Sequence, residues 1–233
     1  MTINTKTLAA IDIGTNAIRL FISNVEEYPT ETLFKKIAFL RVPIRLGEDV
    51  FTTGEIGQQK RKRLCETMQG FSYIMSAFNV ESYKAYATCA MREARNGKSV
   101  AEQIQKECDL NIEIISGTKE AETIFAGGMN EVVDDDKTYL YVDVGGGSTE
   151  VIVYSKSVKV EACSFPLGTV RMLNDAVDKE EMKHFKKWLK NITEKYTPDA
   201  IIGSGGNINK IHKLLNKKER ERITYQELDI LYE

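Results

Sequence analysis

The segment Asp143-Val144-Gly145-Gly146-Gly147-Ser148-Thr149-Glu150 gathers the groups needed to hold a metal-bound, multiply charged phosphate. Glycines let the backbone turn tightly and bring several N–H groups close to an anion. The Ser148 and Thr149 hydroxyls add donors, while Asp143 and Glu150 supply hard oxygens suited to Mg²⁺ or another divalent cation. A lone glycine loop says little. This one has a counterpart in Ala10-Ile11-Asp12-Ile13-Gly14-Thr15-Asn16-Ala17-Ile18-Arg19-Leu20. The pattern apolar-Asp-apolar-Gly stands at Ile11–Gly14 and again at Val142–Gly145, each time between two β-like segments. That context is a strand-loop-strand hairpin, unlike the strand-to-helix turn of a Rossmann or Walker loop. Two unrelated tight turns are the plain alternative, because Gly-rich hairpins are common. The repeat, with its acids in register, favours two related domains that each offer a phosphate hairpin to a shared cleft.

The elements that must position these loops follow from periodicity. Strands are expected over about 8–13, 18–24 and 32–42 as an antiparallel meander. A helix follows, with Ile56, Leu64, Met68, Phe71, Met75 and Phe78 on one face. Then come a strand near 83–87, a helix near 100–108 and a strand at 112–115. The order βββαβαβ is that of a ribonuclease-H-like half. A helix from about 119 to 129 leads to Gly127-Gly128 and the acidic Asp134-Asp135-Asp136, the expected linker. Strands at 138–144, 150–154 and 158–165 repeat the meander, broken by Pro166-Leu167-Gly168 before a helix around 170–176. A lysine-rich helix over 179–196 buries Met182, Phe185, Leu189 and Ile192, and its lysines read as a wet surface. A strand at 200–203 delivers the turn Gly203–Asn207 before a helix at 208–215. Thr224-x-x-Glu227 is a capping box opening a last helix so short that the chain reads as truncated. The fold class is therefore α/β, as two ribonuclease-H-like domains over residues 1–125 and 126–233.

Composition narrows the function classes. At 233 residues, 42% hydrophobic and 28% charged, the chain has room for two domains of about a hundred residues. A net charge of −2 argues against a general nucleic-acid surface, yet allows a local basic cleft for a polyanion. Cys65, Cys89, Cys108 and Cys163 are too widely spaced for a zinc or thioredoxin-like site, which points to reduced thiols and a cytoplasmic location. No apolar run nears the roughly 20 residues of a membrane span, and the first residues do not read as a secretory signal. His184 and His212 lie in lysine-rich helical patterns and read as surface residues.

These motifs together resemble the Ppx/GppA family of exopolyphosphatases and guanosine-pentaphosphate phosphohydrolases, of the actin–sugar kinase–Hsp70 (ASKHA) superfamily. The matching segments, in order, are Ile11–Asn16 with Arg19, Arg45-Leu46-Gly47-Glu48, Ala87–Ala94, Ile115-Ser116-Gly117-Thr118-Lys119-Glu120-Ala121, Asp143–Glu150 and Phe165-Pro166-Leu167-Gly168-Thr169-Val170-Arg171. Gly203–Asn207 adds a closing glycine turn. The resemblance implies Mg²⁺-dependent release of terminal phosphate from polyphosphate or pppGpp by an in-line water, a reaction of positioning and charge stabilisation. It implies Glu120 as the base that deprotonates the water and Arg92 as a phosphate fork. Gly14, Thr15 and Asn16 in one half, and Gly145, Gly146, Gly147, Ser148 and Thr149 in the other, would grip terminal phosphates. Asp143 and Glu150, with Asp12 as a further ligand, would hold the metal. By position alone Glu120 is equally a first-turn acid complementing the helix dipole, Asp12 a residue that polarises its hairpin, Arg45 a surface ion pair and Arg171 a cap.

Four positions depart from the family. Lys119 stands where a second acid is usual, Ala17 where serine is common, Asp49 where glycine is common and Asn207 where threonine is usual. The expected ligand is polyphosphate or guanosine penta- or tetraphosphate, with no nucleic acid or membrane partner, and a homodimer is common in the family. A non-catalytic sensor of these ligands and a kinase or ATPase on the same fold are the competing readings.

Overall fold

A computed structural model describes residues 4–126, 136–156, 158–218 and 221–232. The chain divides into two compact units, Met1–Glu120 with Val170–Val177, and Ala121–Thr169 with Asp178–Glu233. The expected domain boundary abuts residues 127–135, so Gly127, Gly128, Asp134 and Asp135 lie outside the described residues.

In the first unit, β1 (Asn4–Ile13), β2 (Ile18–Glu27) and β3 (Thr32–Val42) form the antiparallel meander. β4 (Ser82–Ala87) pairs parallel with β1, and β5 (Glu113–Ile114) pairs parallel with β4. The sheet order 3-2-1-4-5 is the ribonuclease-H-like one. Alternation drives it: Ile18, Leu20 and Ile22 on β2 join Ile11 and Ile13 on β1 in the core. α2 (Gln58–Ala77) adds Leu64, Met68, Phe71 and Met75, and α4 (Gly97–Cys108) adds Val100, Ile104 and Cys108. The expected apolar stripe is trimmed at both ends, since Ile56 is buried ahead of α2 while Phe78 follows its last turn and is exposed.

Gly70, in the middle of α2, has no atom within 4 Å of where a Cβ would stand. Gly70→Ala is expected to stabilise the fold by about 0.5–1 kcal/mol through helix propensity. That is a rise of roughly 1–4 °C in Tm, readable by thermal unfolding.

The second unit repeats the scheme. β6 (Thr138–Val144), β7 (Thr149–Ser155) and β8 (Val158–Phe165) are antiparallel in sequence, and β9 (Ala200–Ser204) lies parallel to β6. β7 is buried on both faces from Thr149 to Tyr154. α7 (Lys179–Tyr196), capped by Asp178 on the Glu180 N–H, lays His184, Phe185 and Trp188 edge-on against Phe165, at ring separations of 5.4, 5.0 and 5.4 Å. α8 spans Gly205–Leu214 and α9 spans Tyr225–Tyr232. The capping box closes as expected, with the Glu227 N–H on Thr224 Oγ1 and the Thr224 N–H on the Glu227 carboxylate.

Five short or shifted helices differ from the sequence expectation. α1 (Leu46–Thr53) and α3 (Cys89–Glu93) occupy segments with too few turns to show a helical period. α8 starts at Gly205, inside the expected glycine turn. α5 (Gly117–Ala126) starts two residues early because Ser116 caps it, and α6 (Thr169–Leu173) is shorter than expected. Among the described residues no helix is long and apolar enough to cross a membrane. All four cysteines are free.

Candidate active site

The two loops are built alike. Ile13 ends β1 and Ile18 opens β2, with the Gly14 N–H closing the turn on the Ala17 carbonyl at 3.2 Å. Val144 ends β6 and Thr149 opens β7, with the Gly145 N–H on the Ser148 carbonyl at 2.9 Å. Both therefore span four residues in one hairpin geometry. Each hairpin leaves the C-terminal end of a strand that also has a parallel neighbour, where ligands gather in α/β sheets.

The same sheet end in the first unit carries the other candidate residues. Ala87, the last residue of β4, pairs with Ile13, and the Thr88 N–H donates to the Ile13 carbonyl, so α3 starts beside the first loop. α3 presents Arg92. Its Nη1 donates to the Ile115 carbonyl at 2.9 Å and to Glu120 Oε2 at 3.5 Å. Ser116 fixes the first turn of α5, from which Glu120 projects, by accepting from the Lys119 N–H through Oγ and from the Glu120 N–H through its carbonyl. Arg92 and Glu120 are therefore brought together, and both side chains stay partly open to solvent.

The acids opposite each loop differ between units. In the first, Asp12 faces Arg19 across β1–β2 and their side chains form an ion pair. In the second, Asp143 faces Glu150 at the same register. Glu150 is only 2% exposed and accepts from Ser164 Oγ at 2.8 Å. Tyr141, on the same strand as Asp143, has its phenol pushed up to about 12 by burial, with Asp143 and Glu150 adding to the shift, so it remains a neutral hydroxyl. Among the described residues no group of three His, Cys, Asp or Glu side chains lies close enough to hold a metal ion. Asp143 and Glu150 stand opposite each other in register, and Asp12 is engaged by Arg19.

Each loop also rests on a Leu-Gly step that follows the third strand of its unit. In the first, the Arg45 N–H donates to the Asn16 carbonyl and the Gly47 N–H to the Thr15 carbonyl. A Cβ on Gly47 would stand 2.3 Å from Thr15 Cγ2 and 2.9 Å from the Phe51 ring. In the second, Thr149 Oγ1 donates to the Leu167 carbonyl and the Thr169 N–H to the Gly145 carbonyl. A Cβ on Gly168 would stand 2.4 Å from the backbone of Gly146 and Gly147. Sequence reasoning quoted both segments without seeing that they do the same work. The signal was the recurrence of Leu-Gly, at Leu46-Gly47 and Leu167-Gly168.

Other positions have plainer roles. Ala17 is buried. Asp49 accepts from the Gly57 N–H and pairs with Lys60. The Asn207 amide donates to the Val144 carbonyl at 2.6 Å, bracing the second loop where β6 ends. Gly205, at φ 89°, lets the backbone pass Asp143, since a Cβ there would stand 2.5 Å from Oδ1. Arg45, at φ 59°, uses its backbone on Asn16 and directs its exposed side chain to Glu48. Arg171 pairs with Glu93 rather than capping a strand or helix end.

Known proteins resemble this chain in sequence and fold. The model of the Ppx/GppA phosphatase family matches residues 22–231. The chain is 32% identical over 168 residues to a bifunctional 3-dehydroquinate synthase/phosphatase of Fusobacterium nucleatum, covering 70% of this chain and 25% of that protein. It is 28% identical over 170 residues to exopolyphosphatase 2 of Mycobacterium tuberculosis, covering 71% of this chain and 53% of that one. The chain therefore spans between a quarter and about half of these two relatives. The crystal structure of an exopolyphosphatase from Cytophaga hutchinsonii superposes with a TM-score of 0.79 at 25% identity, over 95% of this chain and 73% of that one. With a family match that runs through nearly the whole sequence and a fold shared over almost all of it, the chain belongs to the Ppx/GppA phosphatase family.

Proposed function

We propose that the chain is a divalent-metal-dependent phosphohydrolase that releases terminal orthophosphate from inorganic polyphosphate or pppGpp. The observation that carries this reading is the Arg92–Glu120 pair, a guanidinium and a carboxylate at the strand end that also bears the first glycine hairpin. In the proposed step a water attacks the terminal phosphorus in line and gives its proton to the Glu120 carboxylate. The bond from that phosphorus to the bridging oxygen breaks, and the leaving phosphate keeps the electron pair. Arg92 binds the equatorial oxygens as a planar donor, and each hairpin offers backbone N–H groups to phosphate.

Asp143 and Glu150 suit Mg²⁺, which commonly takes one or two carboxylates and completes its shell with water and substrate phosphate. When bound there, Mg²⁺ would offset charge on the phosphate oxygens. Asp12 then serves to hold Arg19 rather than the metal.

The test is phosphate release with Mg²⁺ from polyphosphate, pppGpp and ATP in parallel. Release is expected from polyphosphate or pppGpp, abolished by EDTA and regained with added Mg²⁺. Tight binding of either ligand without turnover would establish the sensor instead, and release that requires an acceptor would establish a kinase.

A further inference from the structure

The network around Arg171 is larger than an ion pair. The residue is 9% exposed. Nη2 donates to both carboxylate oxygens of Glu93 at 2.6 and 2.7 Å, and lies 3.6 Å from Cys89 Sγ. The guanidinium carbon sits 4.2 Å from the centre of the Phe51 ring, a cation–π contact. Burial, with Glu93 next, pushes the Cys89 thiol up to about 12, so it stays protonated and donates to Glu93 at 3.2 Å. A buried charge of this kind costs free energy unless fully paired, and Glu93, Cys89 and Phe51 belong to the first unit, as do residues 170–177.

A line of contact leaves this anchor. The Phe51 ring and the Thr15 methyl both lie close to Gly47, whose N–H donates to the Thr15 carbonyl, so the anchor supports the first phosphate loop. Glu93 also directly follows Arg92 on α3. We propose that Arg171 is a positioning residue whose anchorage on Glu93 and Phe51 sets the first phosphate loop, through Phe51 and Gly47. The assignment rests on the phosphohydrolase reading for its catalytic consequence, while its structural core stands without it.

Arg171→Met alone strands the Glu93 carboxylate, so the informative variant is R171M/E93Q, with Arg171→Lys as the conservative one. Hydrogen exchange on peptides covering 11–17 is expected to quicken by roughly tenfold in R171M/E93Q, while peptides from α2 keep their protection. The kcat for phosphate release from polyphosphate is expected to fall by about 100-fold, with KM within about threefold. Arg171→Lys, which keeps charge but not the planar fork or the stacking, should fall between. Wild-type exchange in that loop overturns the proposal, as does a kcat within about threefold of a working wild type. A wild-type chain that releases no phosphate instead defeats the phosphohydrolase reading, and exchange then decides the role of Arg171 by itself.

Discussion

Glu120→Gln is expected to lower kcat for phosphate release by about 10²–10⁴-fold, the usual contribution of a general base, and to leave KM within a few-fold. The amide has nearly the shape of the carboxylate, so its carbonyl can still accept from Arg92, and Arg92 keeps its 2.9 Å bond to the Ile115 carbonyl. The backbone of the turn is held by Ser116 and does not depend on the Glu120 side chain. Stability should therefore move little, by about 3 °C in Tm at most. What the amide lacks is a lone pair basic enough to take a proton from water. The competing account, a first-turn acid favoured by the helix dipole, gives the opposite pattern: a loss of about 0.3–1 kcal/mol in stability with no loss of rate. Kinetics and thermal unfolding on one preparation separate the two, and an unchanged kcat would remove Glu120 from the chemistry. Glu120→Asp, with its carboxylate drawn back by one methylene, should recover part of the rate if distance to the water is what matters.

Both hairpins were legible because everything that defines them is local. The apolar-Asp-apolar-Gly pattern fixes where β1 and β6 end, and a strand on each side fixes the hairpin. Equal loop lengths then put Asp12 and Asp143 at one register position. The residues across from them could not be read from composition alone, since Arg19 and Glu150 become partners only once strands pair. Nonlocal contacts were hidden for the same reason. Arg171 and Glu93 are 78 residues apart, and no periodicity relates them. α1 and α3 were missed because helices of eight and five residues make only about two turns and one, too few to show apolar spacing. Gly168 was visible as a strand breaker, but its reason is steric and lies in a loop more than twenty residues upstream.

That reason makes Gly168→Ala the second large effect expected: a fall in kcat/KM of about 100-fold or more, with a loss of roughly 1–3 kcal/mol in stability from overpacking. Gly168 does not lie in the left-handed region, so alanine meets no backbone objection there. The cost is contact alone. The added methyl would stand 2.4 Å from Gly146 C, Gly146 O and Gly147 N, and backbone cannot turn aside as a flexible side chain can. Which side moves is decided by what holds each. Phe165 is 1% exposed and clamped by three rings of α7, and Leu167 beside it is buried, so the segment carrying Gly168 is fixed from below. The loop is tied at its edges, through Gly145 to Thr169 and Thr149 to Leu167, so the methyl's clash falls on the backbone between those ties, at Gly146 and Gly147. A displacement near 1 Å there moves the N–H groups proposed to grip phosphate. Gly70→Ala supplies the contrast, because the same methyl enters open space on a helix and should stabilise. If Gly168→Ala releases phosphate as fast as wild type while Gly70→Ala behaves as expected, the Gly145–Ser148 loop is not where the phosphate binds.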